Sequence, residues 1–274
     1  MAKPDNSHGA LAGKVAAVTV AFWIIKIIAT TLGETGGDAL SMPPIQLGYQ
    51  IATYIFLAFF VVTVSAQVIS NKYHPALYWA VIVATTTLGT TTSDWLTRDV
   101  HAFGRVGLGY GRTALALFIG VLIVLTIWKI VTGSIAISRI TTKKSEAFYW
   151  VAILVSNTLG TALGDWLADT NDVGFEKGAM VFGGMLAIIG AIYLFTKLSR
   201  PVLFWAAFIL TRPLGATLGD IITKPLAKGG LNLSRPVSSL VILACMIPLV
   251  YFYSRKPEHT DPASAHMDAE HEPI

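Results

Sequence analysis

The chain has 274 residues, 54% of them hydrophobic and only 13% charged, with a mean hydropathy of +0.62. Soluble domains carry about a quarter charged residues, so this composition excludes an ordinary soluble globule and reads as a polytopic membrane protein. The excess of 20 Lys and Arg over 16 Asp and Glu is scattered over short segments and gives no nucleic-acid-binding patch, while the single Cys245 excludes an intrachain disulfide and a thiolate metal cluster.

In chain order, a polar segment at 1–14 comes first and is expected to be cytoplasmic; it carries no sign of a cleaved signal peptide. Eight transmembrane helices are predicted, each near the 20 residues a hydrocarbon core requires. They fall at about 15–38, 47–69, 76–96, 113–138, 147–168, 178–197, 201–223 and 237–254. The fold class is therefore all-α, in a single transmembrane domain over 15–254. A polar tail at 255–274 follows, with His259, His266 and His271 among acidic residues. It is expected to be disordered and solubilising, because it lacks apolar surface to bury.

One pattern recurs four times. Thr31-Leu32-Gly33 leads to Gly37-Asp38, Thr87-Leu88-Gly89 to Ser93-Asp94, Thr158-Leu159-Gly160 to Gly164-Asp165, and Pro213-Leu214-Gly215 to Gly219-Asp220. Trp23, Trp79, Trp150 and Trp205 each stand ten residues before the first Gly of their copy. A fixed frame in four places is an internal repeat, with copies at about 15–70, 76–138, 147–197 and 201–254. The motif falls on every odd helix. The even helices are nearly all apolar and are predicted to face lipid. Two crossings per repeat make each copy a helical hairpin and give all four the same orientation.

Eleven Lys and Arg on the N-terminal side against seven on the other favour cytoplasmic termini. The Trp residues then read as interfacial anchors. At about 1.5 Å per residue, each first Gly lies about 15 Å beyond its Trp and each Asp about 22 Å beyond. The links after each Asp fit either simple loops or caps folded back over the acids.

Counted from the first Gly, positions −3, +1 and +5 share one helical stripe. The four stripes read Thr30, Glu34, Asp38; Thr86, Thr90, Asp94; Asn157, Thr161, Asp165; and Arg212, Ala216, Asp220. Lipid cannot satisfy such groups, so the odd helices must turn them toward one another or toward water. Beside them run Gly33 and Gly37, Gly89 and Ser93, Gly160 and Gly164, Gly215 and Gly219, the spacing that lets helices approach closely. Asp38, Asp94, Asp165, Asp220 and Glu34 are thus candidate ligands for a metal ion. Thr30, Thr86, Thr90, Asn157 and Thr161 line a candidate pathway, and Lys26 and Arg212 are candidate charge-compensating groups. Carboxylates and hydroxyls are hard donors, suited to Mg²⁺, Ca²⁺, Mn²⁺ or an alkali ion rather than Cu(I) or Zn²⁺. The competing reading pairs the Asp residues with Arg98, Arg105 and Lys224, and pairs Lys26 with Glu34 or Arg212 with a nearby acid.

With these motifs in view, the chain resembles a bacterial family of multi-pass membrane proteins built from a tandem repeat of unknown function. Its members are described as uncharacterised membrane-anchored proteins. The resemblance rests on Thr158-Leu159-Gly160, Gly164-Asp165-Trp166-Leu167 and the Gly-rich stretch that follows. It implies a bacterial inner-membrane location and assigns no activity. A fainter similarity, of Glu34-Thr35-Gly36-Gly37-Asp38, is to manganese or calcium–proton exchangers with a Glu-x-Gly-Asp motif; the segment has one Gly more than that pattern.

The function expected is transport of a cation, divalent with Mn²⁺ favoured, on the odd-helix carboxylates and hydroxyls, with proton coupling as one form. The partners expected are the lipid bilayer and an inorganic cation, not nucleic acid, and a homo-oligomer is compatible with the sequence. No covalent cofactor and no nucleophile, nucleotide-loop or paired-haem-ligand motif points to an enzyme, and His74 and His101 read as loop residues. The alternatives are a transporter of an organic cation or other small molecule, lined by Tyr54, Phe56, Phe59, Phe60, Phe148 and Tyr149, or a purely structural Asp ring.

Overall fold

The computed structural model describes residues 15–70, 72–98, 108–170 and 173–255. The N-terminal segment, His101, Arg105 and the His-bearing tail lie outside the described residues. Among the described residues eight long helices follow one another: α1 (Val20–Ser41), α2 (Tyr49–Ile69), α3 (Pro75–Arg98), α4 (Tyr110–Thr132), α5 (Lys143–Asp165), α6 (Phe175–Phe195), α7 (Arg200–Thr223) and α8 (Arg235–Arg255). The protein is an all-helical, multi-pass membrane protein of four tandem repeats. Helices α2 and α4 to α8 are long and apolar enough to cross a membrane by length and composition. The other two, α1 and α3, carry the densest run of Thr and charged residues and sit inside the bundle.

Several boundaries differ from those predicted. α1 starts later because the Thr19 hydroxyl caps it, accepting from the Phe22 N–H at 3.3 Å. α4 stops at Thr132, where Gly133 takes a left-handed conformation (φ 79°) that ends the helix. α5 starts earlier because the Thr142 hydroxyl accepts from the Ser145 N–H at 3.1 Å, and it ends in a π-helical turn at Trp166–Thr170.

The odd helices form a closed ring in which α1 packs on α3, α3 on α5, α5 on α7, and α7 back on α1. The glycine stripe sets the spacing. A Cβ on Gly33 would collide with Thr86, on Gly89 with Asn157, on Gly160 with Arg212, and on Gly215 with Thr30. Each first Gly therefore receives the −3 residue of the next repeat, and the fourth repeat closes onto the first. One turn later Gly37 meets Thr90, Gly164 meets Ala216, and Gly219 meets Glu34. The same pairing at every seam requires the four odd helices to run parallel. Threonine hydroxyls brace the seams, with Thr86 donating to Ala29 O and Thr30 to Thr211 O, both at 3.3 Å.

The even helices form the outer layer, and their large side chains are exposed, from Val62 on α2 to Phe195 on α6 and Val241 on α8. A soluble protein would not leave so much apolar surface in water, whereas lipid satisfies it. The hairpin describes the connectivity but not the packing. α2 lies on α3, α4 on α5, α6 on α7, and α8 on α1. Each even helix thus covers the odd helix of the following repeat.

The N-terminal ends of the odd helices are filled with aromatic rings. Each repeat places an aromatic immediately before its Trp: Phe22-Trp23, Tyr78-Trp79, Tyr149-Trp150 and Phe204-Trp205. Trp79, Trp150 and Trp205 are buried, which overturns the expectation of interfacial anchors. They stack edge-on with their neighbours, Tyr78 on Trp79 at 5.4 Å and Tyr149 on Trp150 at 5.0 Å, and the Tyr78 and Tyr149 hydroxyls hydrogen-bond at 2.6 Å. The core is therefore stoppered by rings at this end.

Candidate functional site

Above the aromatic layer the ring holds polar side chains in tiers, one helical turn apart. In the first tier the Lys26 ammonium reaches from α1 across the core to α5, donating to Asn157 Oδ1 at 3.3 Å. It also lies 4.1 Å from the centre of the Phe208 ring. Asn157 in turn donates to Thr85 Oγ1 at 3.0 Å. Among the described residues Lys26 has no carboxylate partner, so the expected Lys26–Glu34 pair does not form.

In the second tier Arg212 reaches from α7 to Glu34 of α1, with Nη2 3.1 Å from Oε2, and donates to the Thr90 hydroxyl of α3. Repeat four has Ala216 where the other copies have Glu34, Thr90 and Thr161, so it adds no polar group of its own at that position. Lys26, Glu34, Thr90 and Arg212 are all buried. A buried charge with its partner removed costs about 3–5 kcal/mol, so this pair is mutually dependent.

The third tier holds the four Asp side chains, all buried. Arg98, one turn beyond Asp94, spans it and Asp165 at 2.8 and 2.7 Å. Lys224, one turn beyond Asp220, spans it and Asp38 at 3.1 and 3.3 Å. Arg235 at the start of α8 adds a contact to Asp38 at 3.5 Å. The pattern is twofold: repeats two and four each supply a cation that bridges their own Asp to the Asp of the next repeat. These three cations sit at the outward end of the tier and keep some exposure, 19% for Arg98 and Arg235 and 8% for Lys224. Backbone bonds tie the far ends of three links to the helices before them. Leu47 N–H returns to Leu40 O at 3.0 Å, Leu108 to Leu96 O at 3.0 Å, and Leu233 to Ile222 O at 3.0 Å.

Of the five candidate metal ligands, three converge. Glu34, Asp165 and Asp220 each offer a carboxylate oxygen, and these oxygens lie within 4.8 Å of one another. They belong to α1, α5 and α7. Asp38 and Asp94 lie outside that group and are held by Lys224, Arg235 and Arg98. Glu34 Oε1, Asp165 Oδ1 and the Thr161 hydroxyl are buried without a hydrogen-bond partner. The Thr30 and Thr86 hydroxyls are instead spent on helix carbonyls. Of the aromatics considered for an organic cation, Tyr54 and Phe59 are exposed on α2, Phe60 and Phe148 pack against the hydrophobic core, and Tyr149 belongs to the aromatic stopper.

Sequence reasoning missed Arg235 as a ring member, because its bond to Asp38 joins α8 to α1 across most of the chain. It also missed the buried Glu146, which accepts from Gln67 Nε2 at 3.4 Å. The aromatic preceding each Trp was legible as part of the repeat and went unread.

Four copies of one family description, "Repeat of Unknown Function (DUF347)", match the chain, at residues 21–73, 77–134, 148–199 and 203–257. No curated protein and no solved structure matches it. Each matched copy takes in one odd helix, its Asp and the even helix that follows, so the chain belongs to the DUF347 repeat family, as a multi-pass helical membrane protein of four copies closed into one ring.

Proposed function

We propose that the protein is a transporter for a hard cation, divalent in the favoured case, bound by Glu34, Asp165 and Asp220 between α1, α5 and α7. The observation that carries this reading is the convergence of three buried carboxylates from three helices within 4.8 Å. Two oxygens sharing one ion stand at most about 4.2 Å apart around Mg²⁺ and about 4.8 Å around Ca²⁺, so three oxygens within 4.8 Å of one another are near enough to share an ion of this class. The oxygen-only donor set favours Mg²⁺, Ca²⁺ or Mn²⁺ over a soft metal, and Mn²⁺ heads the panel on the similarity of the segment from Glu34 to Asp38 to the exchanger motif.

The charge balance favours exchange over permanent occupancy. The core holds five acids, Glu34 and the four Asp, and five bases: Arg98, Arg212, Lys224 and Arg235, which pair with them, and Lys26, a tier away from them. An incoming cation must therefore displace a resident one or release a proton. Lys224 is the group placed to move, since it is shared by two acids and sits on the link after α7. The aromatic stopper at one end and the cations at the other describe a closed core with two barriers, which suits a carrier rather than an open pore or an enzyme.

The location proposed is the bacterial inner membrane with cytoplasmic termini. Of the seven basic residues on the other side, Arg98, Lys224 and Arg235 are engaged by the Asp ring, which strengthens the bias of the remaining loop charges. Single cysteines introduced at Lys72 and Lys228 of a Cys245→Ser background, labelled from outside intact cells, test this. Labelling at 72 rather than 228 would reverse the orientation.

The ion pairing of every Asp favours a second reading, in which the ring is purely structural. Melting temperatures of purified protein against Mn²⁺, Mg²⁺, Ca²⁺, Na⁺ and K⁺ separate the two. A bound ion at a hundredfold excess over its Kd stabilises by about 2.7 kcal/mol. A shift with one divalent ion that is lost in Asp165→Asn supports transport and names the ion for flux assays. No shift with any ion leaves the ring structural.

A further inference from the structure

Lys26 and Arg212 occupy the centre of the ring in consecutive tiers. Lys26 crosses from α1 to Asn157 on α5, and Arg212 crosses from α7 to Thr90 on α3. Each bond joins helices on opposite sides of the ring, so both cationic heads lie in the interior, one above the other. Neither is exposed. Their partners do not match. Arg212 has Glu34, while among the described residues Lys26 has only the Asn157 carbonyl and the Phe208 face. An ammonium offers three donors, and one is used here. Two more donors, Arg212 Nε and Nη1, are buried and unpartnered. Two like charges with at least four free N–H groups, in an interior without water's dielectric, repel each other unless something negative stands between them.

We propose that a small monovalent anion, a halide or a single carboxylate group, binds between Lys26 and Arg212. The neighbouring groups suit that charge, because Asn157, Thr86 and Thr30 are neutral and the nearest carboxylate, Glu34, is already engaged by Arg212 Nη2. The position is one turn deeper than the Glu34–Asp165–Asp220 triad, toward the aromatic stopper. The site does not rest on the cation reading: it would stand if the Asp ring were structural. If both sites are used, the core binds a cation and an anion in adjacent tiers, and each charge offsets the other's cost of entry.

The full-length protein in detergent is melted in sodium sulfate, then in sulfate partly replaced by chloride, bromide or acetate at constant ionic strength. The expected result is a saturable rise of about 3 °C or more with at least one of the three. Lys26→Met should abolish the rise, and Lys26→Arg should retain it. Preference for chloride and bromide identifies a halide site; preference for acetate identifies the carboxylate of an organic ligand. Broadening of the chloride-35 resonance by the wild-type protein, reversed by acetate or bromide, reads the same site without a variant. Identical melting in all four salts with no chloride broadening would overturn the proposal and make Lys26 an uncharged amine. A full anion response persisting in Lys26→Met would overturn it too.

Discussion

Each carboxylate in the core is defined by the cation beside it. Glu34→Gln leaves Arg212 buried without an acid, and the expected loss is about 3–5 kcal/mol of stability. Denaturant unfolding of the purified protein measures it, and wild-type stability in this variant would refute the pairing. Glu34→Gln combined with Arg212→Met should recover much of the loss, since an apolar replacement of both members removes the uncompensated charge. Lys224→Gln acts in the opposite sense on binding. It removes the ammonium shared by Asp38 and Asp220, so divalent affinity by calorimetry should rise by about tenfold, equivalent to about 1.4 kcal/mol. An unchanged or weaker affinity would mean that Lys224 does not compete with the ion. The carboxylates, Lys26 and Arg212 were legible in the sequence as unusual charges at membrane depth. Their partners were not, because Lys26 joins residue 157 and Arg212 joins residues 34 and 90 through contacts no local pattern encodes.

At the scale of a helix, the controlling feature is the stripe of small residues. Gly215 faces Thr30 so closely that an added methyl overlaps both its side chain and its backbone. Gly215→Ala must push α7 from α1 and is expected to cost about 1–3 kcal/mol, or more if the ring opens. Gly36→Ala is the control: its methyl would stand 3.6 Å from Thr87 Cγ2, an ordinary contact, and the variant should melt within about 1 °C of wild type. Equal melting of the two variants would show that close approach at the seam is not what holds the ring. The spacing of the glycines gave this away in the sequence. The helix limits were less legible, because single capping groups such as Thr19, Gly133 and Thr142 decide where apolar runs begin and end.

At the scale of the molecule, no repeat is a packing unit by itself. Its odd helix is covered by the even helix of the repeat before it, and α8 closes on α1. A fragment of residues 1–141 lacks α8, the cover of α1, along with α5 and α7 of the ring. Fragments 1–141 and 142–274 should each be degraded or aggregate when made alone, and should co-purify when made together. Stable monomeric accumulation of either fragment alone would contradict the closed ring.

The sequence by itself determined the membrane class, the fourfold repeat, the parallel odd helices with their glycine seams, and the lipid-facing even helices. Those properties follow from hydropathy, periodicity and backbone volume, which are local. Only the tertiary structure decided that the Trp residues stopper the core, that Glu34, Asp165 and Asp220 converge while Asp38 and Asp94 do not, and that Arg98 and Lys224 each bridge two repeats. Four similar helices in a ring place equivalent residues at equivalent heights. The departures from equivalence, Lys26, Glu34, Ala216 and Arg212, interact only once the ring is closed, and their charges select partners across it.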